Sequence, residues 1–429
     1  MISKAKIQSG KMTTSIYKSI LALAFMIVFL SVPSAYSANL PFINPTPGEI
    51  SIIASTPVPH GLQPTRQAYE DLIECGFNLG VEGADIPYYR KQFEAISNLN
   101  FKYIISNPIL RGEGRETYIK ALSGNPHFAG WEFMDEMPYK DLKTLQTQYF
   151  DLYRSDPNSL IFFNLIGVLS SYFTGNFKSY PEYLEYIQKL FRPSLWSYDF
   201  YPILRKDKKI LVEHDVFYYD LESIRNISRK TKRPFWAYCQ SMEHTTSYFD
   251  RPVAKEEFLR FEAFSALAYG AQGIVYWTYG QRVSTESEKY YSALVNLDGK
   301  KTPAWYAAKK VNNEIKRFNK VFYGCNVKDV RHTGDRIYKG TRKLSGSFGP
   351  FKMIRSGEEG VMVSLIENNG KNYVVIVNRS VFNPQKVTLE LKTNNTLKNI
   401  SIPSPVSYSW RNEININLDK GGYVIFEGK

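Results

Sequence analysis

Between residues 50 and 324 the chain alternates two textures, and this alternation limits the folds open to it more than any other feature. Short β-branched or aromatic runs give way to longer stretches with apolar residues at three- and four-residue spacing. That is the pattern of parallel strands joined by covering helices. The runs that read as strands are Ile52–Val58, Asn78–Glu82, Tyr103–Asn107, Gly130–Met134, Ile161–Ile166, Leu195–Phe200, Phe235–Gln240 and Gly273–Thr278. Thr65–Cys75, Pro181–Leu190, Glu256–Tyr269 and Ala304–Phe318 read as helices. Eight such units in about 275 residues match a (β/α)8 barrel. A doubly wound open sheet would need a glycine-rich phosphate turn after its first strand, and Pro57–Gly61 offers none.

After Gly324 the texture becomes strand–turn–strand, with alternating runs at Val361–Ile366, Tyr373–Asn378, Val387–Lys392, Ile414–Leu418 and Tyr423–Glu427. The expected fold class is therefore α/β: a (β/α)8 TIM barrel at 45–324, then a small antiparallel β-domain at 325–429. Such a domain is more often a structural cap than a sugar-binding module.

Ahead of the barrel, Lys4, Lys6, Lys11 and Lys18 precede an apolar run from Ile20 to Val32, with small residues at Ala35 and Ser37. This reads as a secretory signal over 1–37, cleaved after Ser37, and implies a secreted or periplasmic protein. The run is short for a bilayer span, so no stable membrane insertion is expected. The formal charge is +13, part of it from the leader lysines. The basic runs Arg205–Lys209 and Arg229–Arg233 lack interleaved aromatics, which argues against a nucleic-acid groove. Cys75, Cys239 and Cys325 are too few and scattered for a disulfide framework, and no Cys/His spacing suggests zinc. No metal or organic cofactor is indicated. Aromatic residues make up 15% of the chain, enough for a Tyr-rich core and for a cleft that stacks on sugar rings.

In a barrel of this kind the reacting groups stand at the C-terminal ends of the strands. The fourth run ends in Asp135-Glu136. Adjacent carboxylates repel and burial raises their pKa further, so one proton can be retained near neutrality, as a general acid requires. Asp135 could instead cap a helix beginning near Met137. The sixth run carries Asp199 between Tyr198 and Tyr201, whose hydroxyls could orient it. Glu243 and His244 follow the seventh. Smaller contributions come from Glu82, Asn107 and Asn164. Trp236, Gln240, Trp277 and Tyr279 complete the candidate substrate contacts, with Trp277 the best sugar platform and a carbohydrate the expected partner.

At these residues the chain resembles the clan of (β/α)8 glycoside hydrolases that includes the family 42 β-galactosidases. Trp131-Glu132-Phe133-Met134-Asp135-Glu136 looks like the clan's fourth strand, which implies Glu136 as acid/base. Trp196-Ser197-Tyr198-Asp199-Phe200-Tyr201-Pro202 looks like the sixth. Tyr269-Gly270-Ala271-Gln272-Gly273 with Tyr276-Trp277 looks like the eighth. The clan's nucleophilic glutamate at the end of the seventh strand has no match: the position falls on Cys239, beside Gln240. The resemblance thus implies hydrolysis of O-glycosidic bonds with Glu136 as acid and the second role open among Glu243, Asp199 and Asp135. A substrate-assisted hexosaminidase using Asp135-Glu136 needs no enzyme nucleophile and is one alternative. A non-catalytic glycan-binding barrel is the other.

Overall fold

The computed structural model describes residues 40–167, 175 and 177–428; the leader expected at 1–37 lies outside them. The barrel strands are β1 (Ser51–Ser55), β2 (Leu79–Glu82), β3 (Lys102–Ser106), β4 (Phe128–Glu132), β5 (Leu160–Phe162), β6 (Leu165–Ile166) and β7 (Trp196–Asp199). Beyond a hairpin of β8 (Ile203–Lys206) and β9 (Lys209–Val212) come β10 (Phe235–Gln240), then β11 (Glu243–Thr245), β12 (Asp250–Arg251), β13 (Gly273–Trp277) and β14 (Lys289–Ser292).

Nine of these form one sheet in the order β5-β4-β3-β2-β1-β13-β10-β7-β6, with every pairing parallel. Its two ends, β5 and β6, are consecutive pieces of one segment, so the sheet closes on itself through the fifth strand position. The single strand expected at Ile161–Ile166 is therefore interrupted. At the break the Asn164 N–H bonds the Met134 carbonyl and the Asn164 carbonyl accepts from the Glu136 N–H, so the chain there pairs with the loop after β4. The first strand stops at Ser55 instead of running to Val58, because Thr56 turns with φ 52° ahead of Pro57 and Pro59.

Inward residues of alternate strands fill the lumen, among them Ile53, Leu79, Ile104, Ala129, Phe162, Trp236 and Val275. Helices cover the outside. Arg66–Glu74 starts at Thr65, whose side chain accepts from the Ala68 N–H. Glu256–Tyr269 is buried at every position from Phe258 to Tyr269, because it lies between the barrel and the C-terminal β-domain.

That domain holds β15 (Asn326–His332), β16 (Phe351–Ser356), β17 (Val361–Asn368), β18 (Lys371–Asn378), β19 (Gln385–Leu391), β20 (Thr396–Asn399), β21 (Val406–Ser409), β22 (Ile414–Leu418) and β23 (Tyr423–Gly428). Two sheets, β15-β17-β18-β23-β20-β21 and β16-β19-β22, enclose a core that includes Phe351, Val363, Ile376, Leu389 and Phe426. Barrel and β-domain are parts of one unit, Phe42–Lys429. Phe264 stacks on Tyr423 at 3.7 Å, Ser364 Oγ donates to the Ala268 carbonyl at 2.7 Å, and the Tyr269 hydroxyl meets His332 Nε2 at 2.9 Å.

Candidate active site

The site begins with a backbone irregularity. Gly130 takes φ +148°, and the β3–β4 register shifts beside it. A Cβ there would stand 2.5 Å from the Leu160 carbonyl oxygen, so the close approach of β4 and β5 requires glycine. Beyond this shift Trp131 turns outward and donates to Asp156 at 2.7 Å. Glu132 turns inward, where Ser106 and Tyr238 donate hydrogen bonds to it. Glu136 follows with φ 48°, its N–H bonded to the Asn164 carbonyl at 3.1 Å.

Asn164 joins the ends of three strands. Its fully buried amide donates to Asp135 Oδ1 at 3.1 Å and to Asp199 Oδ1 at 3.2 Å, and its oxygen accepts from Ser197 Oγ at 2.9 Å. Asp199 also takes a hydrogen bond from Tyr201. Glu132, Asp135, Glu136 and Asp199 thus crowd one end of the lumen, and burial raises the pKa of all four. Glu136 rises furthest, to about 9, through burial and then the negative charge of Asp199, Asp135 and Glu288. Asp199 reaches about 7: burial and Asp135 raise it, while Arg251, Asn164 and Tyr201 hold it down.

The excursions after the seventh and eighth strands build an aromatic wall beside this cluster. Trp277, at the end of β13, lies 5.8 Å from Tyr201, 4.6 Å from His244 and 6.3 Å from Tyr290 between ring centroids. The Arg251 guanidinium sits 4.9 Å from the Tyr201 ring centre and 4.5 Å from that of Phe249. Arg282 covers Tyr290 at 5.3 Å, and the Tyr290 hydroxyl donates to Glu288. Burial, and then Arg251, push the His244 pKa down to about 4, so its ring is neutral.

The structure therefore gathers Glu136, Asp135, Asp199, Asn164, Tyr201, His244 and Trp277. Other expected site residues stand elsewhere. Glu243 is held by Arg205 at 2.6 Å, on a small sheet outside the carboxyl cluster. Gln240 donates to the Pro252 carbonyl at 2.9 Å. Tyr198 points to the helix layer beside Asp220, and Tyr279 accepts from Trp305 Nε1 at 3.2 Å. Trp236 is fully buried against Phe162. Glu82 is gripped by Gln92 at 2.6 Å beneath the helices, and Asn107 caps the turn Pro108–Arg111. Cys239 is completely buried beside Glu262; burial, reinforced by that carboxyl, pushes its thiol far up, so it carries no thiolate. Glu132, Arg251 and Glu288 are site residues that sequence reasoning missed. Among the described residues no cluster of His, Cys, Asp or Glu is arranged to hold a metal ion, and no helix is long and apolar enough to cross a membrane.

A closed sheet with carboxyl groups and an aromatic wall at the C-terminal strand ends defines the class of fold: the chain is a (β/α)8 barrel followed by a β-domain, the architecture of the glycoside hydrolases it resembles. Within that class, residues 163–318 match the model of glycoside hydrolase family 42, described as beta-galactosidase. A family 42 β-galactosidase from G. stearothermophilus is similar in fold, with TM-score 0.58 and 10% identity over 90% of this chain and 99% of that one. A β-galactosidase from Bacillus circulans sp. alkalophilus gives 0.57 and 9% over 89% and 99%. A putative α-galactosidase from Bacteroides fragilis gives 0.51 and 10% over 89% and 79%. No curated protein matches by sequence.

Proposed function

We propose that the chain hydrolyses glycosidic bonds with Glu136 as general acid and Asp199 as the base that activates water. The observation carrying this reading is that two carboxyl groups of one cleft, both raised by burial, are raised unequally because their neighbours differ. Asp199 accepts hydrogen bonds from Asn164 and Tyr201 and feels a cation, whereas burial and three negative charges act on Glu136, and all of them favour its protonated form. Groups of one site whose pKa values are pushed apart identify the acid and the base. Glu136 gives its proton to the glycosidic oxygen as the bond to the anomeric carbon breaks. Water attacks that carbon from the other face and loses a proton to Asp199. Trp277 offers the ring on which a pyranose stacks.

The family match and the fold neighbours put aryl β-galactosides first in a substrate panel. Glu136→Gln should cut turnover ~10²–10⁴-fold on whichever substrate the wild type hydrolyses, with the circular dichroism spectrum unchanged. Wild-type turnover by that variant would refute the assignment.

A further inference from the structure

The seventh strand ends without a carboxylate, but what it holds in place is a cation. We infer that Arg251 is a positioning residue that lowers the pH at which Asp199 gives up its proton and becomes a proton acceptor. The inference rests on the acid–base reading of the preceding section and adds to it the group that separates the two roles.

The local structure is built around this guanidinium. Arg251 is only 9% exposed. It lies between the rings of Tyr201 and Phe249, and its Nη1 donates to the carbonyl of Tyr201, two residues beyond Asp199. A buried guanidinium cannot shed its proton, so it imposes a fixed positive charge wherever the backbone sets it. The backbone is set from β10. Gln240, next to Cys239, donates its side-chain amide to the carbonyl of Pro252, the residue after Arg251. The Gln240 N–H is in turn bound by Glu262 of the helix Glu256–Tyr269 at 3.0 Å. Across the small sheet, Arg251 pairs with His244, which packs on Trp277. Strand, helix and excursion thus converge on the position of one charge.

Among the described residues, the groups that face Asp199 leave Arg251 as the cation acting on it. Asp135 comes from the loop after β4, Glu132 from β4, Glu136 from the turn beyond it, and Tyr238 from β10. Tyr180, on the helix Tyr180–Phe191, Tyr198 and Tyr201 stand around it as well. All of these are neutral or negative. Asn164 and Tyr201 donate hydrogen bonds to Asp199, but neither supplies charge. Arg282 acts on Asp135 from the exposed loop after β13. Without Arg251, Asp199 would hold its proton to higher pH, in the direction of Glu136.

The test compares Arg251→Met and Arg251→Lys with the wild type, the lysine variant restoring charge without the planar fork. Two readouts are used: ¹³C NMR titration of labelled aspartate carboxyls, with Asp199→Asn to assign the signal, and the pH profile of kcat/KM. In Arg251→Met the Asp199 midpoint and the acidic limb of the profile should both move up by about one pH unit. Arg251→Lys should bring both most of the way back. An Asp199 midpoint unmoved in a folded Arg251→Met protein overturns the inference, whatever the activity. The titration needs no turnover, so it stands apart from the hydrolytic reading, which fails if Glu136→Gln is fully active.

Discussion

At the scale of single residues the site depends most on Asn164. One amide hydrogen-bonds two carboxyl groups and is itself oriented by Ser197, so its two donors are spent on acidic oxygens and its carbonyl on a hydroxyl. Replacing it by alanine leaves Asp135 and Asp199 without this shared donor in a buried place, which costs about 1–3 kcal/mol for the orphaned groups. Both carboxyls should then hold protons to higher pH. Asn164→Ala is expected to lower the melting temperature and to move the acidic limb of the activity profile upward; a variant with wild-type stability and profile would show that the bridge is incidental. In the sequence Asn164 was one polar residue inside an apolar run. Its candidacy was legible, its bridging role was not, because that role depends on the ends of β4 and β7 meeting across the break between β5 and β6.

At the scale of elements, the eight-strand rhythm was legible because inward and outward positions of a barrel strand are both apolar and the covering helices repeat at 3.6 residues. The errors fall where backbone geometry departs from that rhythm. The bulge at Gly130 reverses the alternation expected along β4, so Glu132 enters the lumen although simple alternation gives no reason to select it. Tyr198 and Tyr279 were grouped with the site for their nearness in sequence to Asp199 and Trp277; strand alternation turns Tyr198 to the face opposite Asp199, and Tyr279 lies past the end of β13, where Trp305 takes it up. Glu243 lies past the end of β10, where a separate small sheet and Arg205 take it up. Gly130 itself provides the test at this scale. Gly130→Ala puts a Cβ 2.5 Å from a backbone oxygen at a φ that L-residues avoid, and β4 must move to relieve it. The expected result is a loss of about 1–3 kcal/mol in chemical denaturation together with a fall in kcat, because the same shift displaces Glu132 and Glu136. A variant as stable and as active as the wild type would mean the bulge does not position the acid.

At the scale of the whole molecule, buried ionisable groups set how stability varies with pH. Glu132 and Glu262 are pushed up to about 8, each mainly by burial, while in the unfolded chain they titrate near 4.5. The folded protein therefore holds protons that the unfolded chain has released. Stability from these groups is fully present below about pH 4.5 and is lost as pH rises toward 8, by up to about 1.4 kcal/mol per proton per pH unit. The histidines act in the opposite sense. His214, at the seam with the β-domain where it stacks on Tyr338 at 5.0 Å, and His244 are lowered to about 4, chiefly by burial. They stay neutral when folded and take up a proton near pH 6.5 when unfolded, so their contribution is present above 6.5 and lost as pH falls toward 4. Between 4.5 and 6.5 the two sets oppose each other; from 6.5 to 8 the carboxyl groups act alone. The melting temperature should accordingly fall steadily from pH 6.5 to 8. Glu262 tests this outside the carboxyl cluster itself, since it is 1% exposed and accepts a hydrogen bond from the Gln240 N–H. Glu262→Gln has no proton to hold, so scanning calorimetry should find a shallower fall over that interval. An unchanged slope would assign the pH dependence to the other raised carboxyl groups, Glu82 under its helix and Glu132, Glu136 and Asp199 in the cleft.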